Sequence, residues 1–216
     1  MKLTNTIHAL SLLSFSALVM ISCDAGMHVA HFNIVKESID TLDILPVDVQ
    51  IKTIDFFKIQ KTDPQLERIV KDDIAKQIQN VLGSKYNTVL VDSASITNKQ
   101  LYTELEHIAY SLQNKKNPIA NVVIPSAYHS ILKNSRHNYS LLLIVRSQYC
   151  INFPDDSNLL WIDPLTNTYI TQSLFLIDNR SCAILHCKTT KTVGDISIKK
   201  SVEQITLESL RNVYYK

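Results

Sequence analysis

The chain has 216 residues, 45% hydrophobic and 19% charged, with a formal net charge of +2. So small a charge excludes bulk electrostatic attraction to nucleic acid. Three glycines, with no G-x-G-x-x-G or G-K-[ST] string, exclude the Gly-rich loops that cradle phosphates. About 190 residues beyond a short leader suffice for one domain with a sizeable core.

Residues 1–22 read as an export signal peptide. Lys2 supplies the positive start, Ile7 to Ile21 is mostly apolar, and no charge intervenes before Asp24. That length suits a signal core better than a membrane span, although an uncleaved anchor is the competing reading. Val19-Met20-Ile21-Ser22-Cys23 resembles a bacterial lipobox, with a small residue before the lipidated cysteine and Met20 in place of the commoner Leu. The resemblance implies a diacylglyceryl group and an N-acyl chain on Cys23. At about 0.8 kcal/mol per buried methylene, such an anchor is stable. Soluble secretion is the alternative.

Residues 23–46 read as a lipidated N-terminus and tether, and 47–216 as a single mixed α/β domain. Val47 to Phe57 alternates like a strand. Asp63-Pro64 opens a helix whose apolar stripe runs from Leu66 to Leu82, with Gly83 at its stop. Tyr86 to Val91 is a short strand. Thr97 and Gln100 make a capping-box pattern for a second helix striped by Leu101, Leu105, Ile108 and Leu112. Ser126 to Lys133 reads as a short helix. Leu141 to Val145 is a continuous apolar run inside a central strand that ends near Cys150. A loop follows over 152–168. Tyr169 to Ile177 and Cys182 to Thr189 form a hairpin about Asp178-Asn179-Arg180-Ser181. A final helix carries Val202, Ile205, Leu210 and Val213. The order predicts a mixed parallel and antiparallel sheet of about five strands, flanked by helices and closed by a C-terminal helix.

Chemistry-bearing residues are few and scattered. Cys150, Cys182 and Cys187 remain beyond Cys23. A disulfide from Cys150 to Cys187, or to Cys182, and buried free thiols are both open readings. His129 and His137 lie eight apart with no third ligand at metal spacing, and His107 and His186 read as packed or surface histidines. No metal, cofactor or catalytic residue is assigned, and no G-x-S-x-G elbow occurs. Asp155, Asp156 and Asp163 read as solvated loop carboxylates without EF-hand spacing. Lys188, Lys191, Lys199 and Lys200 read as a solvated cluster rather than a phosphate surface. Nine tyrosines suit contact surfaces for protein or glycan.

The layout over 47–214 resembles the envelope lipoproteins of the curli-secretion-channel type and their relatives in polysaccharide export. The segments that carry it are Lys52-Thr53-Ile54-Asp55-Phe56-Phe57, the helix from Asp63 to Leu82, Tyr86 to Asp92, Asn138 to Leu143, and the hairpin from Ser173 to His186. The hairpin departs from the family's Gly after the Asp, with Asn179, Arg180 and Ser181 there instead. The resemblance implies a role in building or supporting an export apparatus at the outer membrane, and it brings no catalytic residues. No pair of long amphipathic segments suits channel strands, so an accessory role follows. The expectation is a non-catalytic lipoprotein of the bacterial envelope, held by its lipid anchor, that binds an envelope protein or itself and not nucleic acid. A periplasmic or surface binding protein for a glycan, peptide or small ligand is the alternative, and a hydrolase the third class.

Overall fold

The computed structural model describes residues 27–28, 37–54, 60–91, 99–113, 119, 122–150 and 168–214. The strands are β1 (Met27–His28), β2 (Thr41–Ile44), β3 (Asp48–Ile54), β4 (Gln60–Thr62), β5 (Asn87–Leu90), β6 (Tyr139–Cys150), β7 (Tyr169–Asp178) and β8 (Ala183–Val193). The helices are α1 (Pro64–Leu82), α2 (Lys99–Gln113), α3 (His129–Lys133) and α4 (Lys199–Tyr214), with a 3-10 turn over Ser126–Tyr128 leading into α3. The five expected strands all form, and β1, β2 and β4 add short pieces to the same sheet. The leader, Cys23, the start of the second helix near Thr97 and the 152–167 loop lie outside the described residues.

The sheet runs β1-β8-β7-β6-β2-β5, with β3 continuing along β6 beyond β2 and β4 outside β3. Parallel pairing joins β5 to β2, and both β2 and β3 to β6. Antiparallel pairing joins β6 to β7, β7 to β8, β8 to β1 and β3 to β4. The mixed architecture and the C-terminal helix are as the sequence predicts. The physical reason is connection length: a tight turn gives antiparallel neighbours, and a crossover of helical length permits parallel ones.

One boundary shifts. The end of the expected tether belongs to the domain, because Ile39, Leu42, Ile44 and Leu45 are buried and β2 pairs with both β5 and β6. Pro46 marks where β2 hands over to β3 along the same neighbour.

Strand alternation divides the helices between two faces. On one face Gln172 of β7 meets Thr206 and Ser209 of α4. On the other Arg146 of β6, opposite Thr171 in register, meets Glu106 of α2. Helix α1 lies beside α4: Gln77 donates to the Glu203 carbonyl at 2.9 Å and Tyr86 Oη to the Val213 carbonyl at 2.9 Å. Asp63 caps α1 by accepting from the Leu66 amide at 3.0 Å. Val70, Ile74, Ile78 and Leu82 form its buried stripe. Gly83 is needed for close approach, since a Cβ there would sit 2.4 Å from the Gln79 carbonyl oxygen.

Lys188 corrects the reading of a solvated lysine cluster. It is 1% exposed and its Nζ donates to the backbone carbonyl of Glu208 at 3.1 Å and to Glu208 Oε1 at 3.2 Å. Alternation turns it toward α4, while Lys191 falls on the opposite face.

The candidate disulfide is also corrected. Cys187 sits opposite Phe175, and Phe175 opposite Leu142. Cys150 lies eight residues farther along β6, about 26 Å at ~3.3 Å per residue. Cys182 lies beyond the far end of the same ladder. Bridged cysteines need Cα atoms within about 7 Å. Cys182 and Cys187 are buried free thiols. Burial raises both, and pushes Cys187 from 9.0 to about 12.

Two outcomes follow from this packing. The thiols of Cys182 and Cys187 should resist iodoacetamide at pH 8 in the folded protein and react once urea unfolds it, read by mass spectrometry of the peptides. Burial also raises Tyr86 and Tyr102 from 10.0 to about 12. The unfolded chain therefore loses these protons first, and urea-unfolding stability should fall as pH rises from about 9 toward 12. Separately, Gln172→Leu strands the Thr206 and Ser209 hydroxyls and should cost about 2–3 kcal/mol. The triple variant Gln172→Leu, Thr206→Val, Ser209→Ala should cost less than the single one.

Candidate functional site

A cleft of about 420 Å³ opens where β5, β2 and the start of β6 meet α3 and the turn after it. Asp43, in the middle of β2, faces it. Its register partners Val89 on β5 and Ser140 on β6 lie on the same face. Leu45, Leu90, Val91 and Ile131 make its remaining apolar walls, and Asn134, Ser135, Arg136 and His137 its polar rim.

Asp43 is a buried carboxylate within the apolar run Leu42 to Leu45, and both its oxygens are engaged. His137 Nδ1 lies 2.6 Å from Oδ1, and Ser135 Oγ donates to Oδ2. The carboxylate accepts, so Nδ1 must carry a proton. In the neutral imidazole this leaves Nε2 as the acceptor. His137 is 30% exposed and Asp43 5%, so the histidine stands between the buried acid and solvent.

The hairpin turn fixes this loop. Asn179 Nδ2 donates to the His137 carbonyl at 2.9 Å, and the Asn179 amide to the Asn138 carbonyl at 2.8 Å. Asp178 ties the turn through the Arg180 amide at 2.9 Å and the Ser181 hydroxyl at 2.8 Å. Cys182 closes it at φ 55. Asn179 is thus the residue that clamps the His137 loop.

Asp, His and Ser together suggest a hydrolytic triad, but the connectivity differs. A nucleophilic serine must bond the imidazole that takes its proton. Ser135 bonds the carboxylate instead, so the cluster orients His137 without arming Ser135. Ser140 Oγ is fully buried, faces the same cleft and makes no hydrogen bond among the described residues.

A second opening, on the sheet face that carries Arg146, is a polar trough of about 540 Å³ between α2 and the sheet. Gln50, Lys52, His107, Tyr110 and Lys191 contribute to its lining. Arg146 crosses its floor, paired with Asp48 at 2.6 Å and with Glu106. Lys191 Nζ lies 4.7 Å from the Tyr169 ring centroid.

The remaining sequence candidates are not drawn into one centre. His129 Nε2 is 2.9 Å from the Ile124 carbonyl, His107 lines the trough, and His186 is fully buried within the sheet. Among the described residues, no three His, Cys, Asp or Glu side chains group to hold a metal, and no helix is long and apolar enough to cross a membrane. Asp155, Asp156, Asp163 and Cys23 lie outside the described residues. Sequence reasoning missed Asp43. Its signal was a lone carboxylate inside Leu42-Asp43-Ile44-Leu45.

No protein-family model and no curated protein matches the chain. Among solved structures it is similar to the PelC dodecamer from Paraburkholderia phytofirmans, at 8% identity and a TM-score of 0.42, over 82% of this chain and 89% of that one. It is similar to lipoprotein GNA1162 from Neisseria meningitidis, at 11% identity and a TM-score of 0.34, over 80% and 94%. It is also similar to the C-terminal domain of LpoB from Salmonella enterica, at 10% identity and a TM-score of 0.30, over 71% and 82%. At such identities and TM-scores these likenesses carry neither family nor function across to this chain.

Asp43→Ala removes the partner of two donors and should destabilise the protein by about 2–3 kcal/mol, below the 3–5 of a fully buried pair because His137 reaches solvent. Asn179→Ala should loosen the 134–138 loop, read as faster amide hydrogen exchange there, while β6 and β7 remain protected.

Proposed function

We propose that this chain is an exported lipoprotein of the bacterial envelope, held at the outer membrane by acyl chains on Cys23, and that it works by non-covalent binding and assembly. The observation that carries the assembly reading is the β5 edge. Among the described residues Asn87–Leu90 ends the sheet path, and Val89 and Leu90 are 38% and 48% exposed. Edge strands present unpaired backbone groups, and proteins that must stay apart usually blunt them with charge or proline. Asn87-Thr88-Val89-Leu90 carries neither. An envelope protein, or a second copy of the chain, adds its strand there. Tethering to one membrane raises the local concentration of both partners, so a modest interface suffices. Glycan binding is the second reading, favoured by the polar trough with Tyr110 64% exposed at its side.

The mature N-terminal peptide should begin at lipidated Cys23 in mass spectrometry, and Cys23→Ser should move the protein out of the membrane fraction. A bare Cys23, or residues 1–22 still attached, overturns the anchor. A photocrosslinker at Thr88 should capture a partner strand in intact cells, and Leu90→Lys should reduce that yield several-fold. Crosslinks confined to the trough around Tyr110 would favour the glycan or surface-binding reading instead.

A further inference from the structure

We propose that the cleft between β5, β2 and α3 binds the carboxylate of a small apolar acid. His137, Ser140 and Arg136 hold its head, and its apolar body lies over Val89 and Ile131. The inference stands apart from the anchor and from assembly at the β5 edge.

Size and lining set the class. A volume of about 420 Å³ falls in the range of small-molecule sites. Leu45, Val89, Leu90, Val91 and Ile131 make the lining largely apolar, so the occupant has an apolar body. Val89 and Leu90 are exposed, and covering them is favourable by the ordinary hydrophobic effect.

Charge sets the head group. Asp43 is the carboxylate of the lining, and its oxygens are taken by His137 Nδ1 and Ser135 Oγ. Both its oxygens are therefore already hydrogen-bonded. Arg136 is exposed and has no ion-pair partner among the described residues, so the rim presents positive charge outward. An incoming anion meets this guanidinium, with the His137 ring held beside it by Asp43.

The independent observation is Ser140. Its hydroxyl is buried completely and makes no hydrogen bond among the described residues, yet it faces the cleft. Polar groups so placed are normally paired, because leaving one unpaired is costly. A ligand oxygen beside it accepts that proton. Arg136, the Ser140 hydroxyl and the His137 ring thus line one cleft with an apolar floor.

A medium-chain fatty acid and the C-terminal residue of an apolar peptide share this chemistry. The test uses the protein as isolated from cells, with methyl-labelled Val and Ile. Octanoate, octanol and an N-acetylated dipeptide ending in leucine are titrated as probes. Saturable shifts of the Val89 and Ile131 methyls are expected with octanoate or the dipeptide, and whichever binds tighter identifies the source. Ser140→Ala and Arg136→Gln, which leave the packing intact, should each weaken that binding at least five-fold. If neither carboxylate shifts these methyls, or octanol shifts them equally, or both variants bind like the parent, the proposal fails.

Discussion

The pairing of β6 on both its edges is the constraint on which the rest of the structure depends. Along one side it pairs antiparallel with β7 over ten residues, from Tyr139–Asp178 to Gln148–Tyr169. Along the other it pairs parallel with β2 and then with β3. Its run Leu141 to Val145 is buried residue after residue, so both faces of the strand need a helical layer. Helices α1 and α4 supply one, and α2 with α3 the other. The β2–β6 register also builds the cleft, because it sets Asp43 beside Ser140. A slip of one residue would turn Asp43 into the α1 and α4 face, where an unpaired carboxylate is strongly disfavoured.

Buried polar groups link elements far apart in the chain. Lys188 ties β8 to Glu208 of α4, Gln172 ties β7 to Thr206 and Ser209, and Asp43 ties β2 to the turn carrying His137. Apolar burial drives the layers together without choosing one sliding position over another. A buried hydrogen bond is satisfied in one position only, and we read these links as devices of register more than sources of net stability.

The two faces are covered unequally. The face under α1 and α4 carries Val49, Ile51, Leu143, Val145, Ile170 and Leu174, all buried. The opposite face is apolar under α2 but turns polar toward Lys52, Arg146 and Lys191, which leaves the trough. At the other end the short α3 stops before covering β5, which leaves the cleft. The trough and the cleft therefore both lie where the described second layer runs out.

Much of the architecture was legible in one dimension. Asp63-Pro64 and Gly83 bracket α1, the Leu141 to Val145 run marks the central strand, and Asp178 to Ser181 marks the hairpin, because capping, burial on two faces and tight turns are local chemistry. What local chemistry cannot express is which residues meet across the sheet. Asp43 and His137 are separated by 94 positions, and Lys188 looks like any surface lysine until strand parity turns it under α4. The unworkable disulfide has the same origin: three cysteines on plausible strands say nothing of the register that keeps Cys150 and Cys187 far apart along the ladder. The sequence by itself determined the elements, their order and the mixed pairing of the sheet. Tertiary structure alone decided the cleft, the oriented histidine and the fate of the thiols, since those depend on register between strands and on where a helical layer ends.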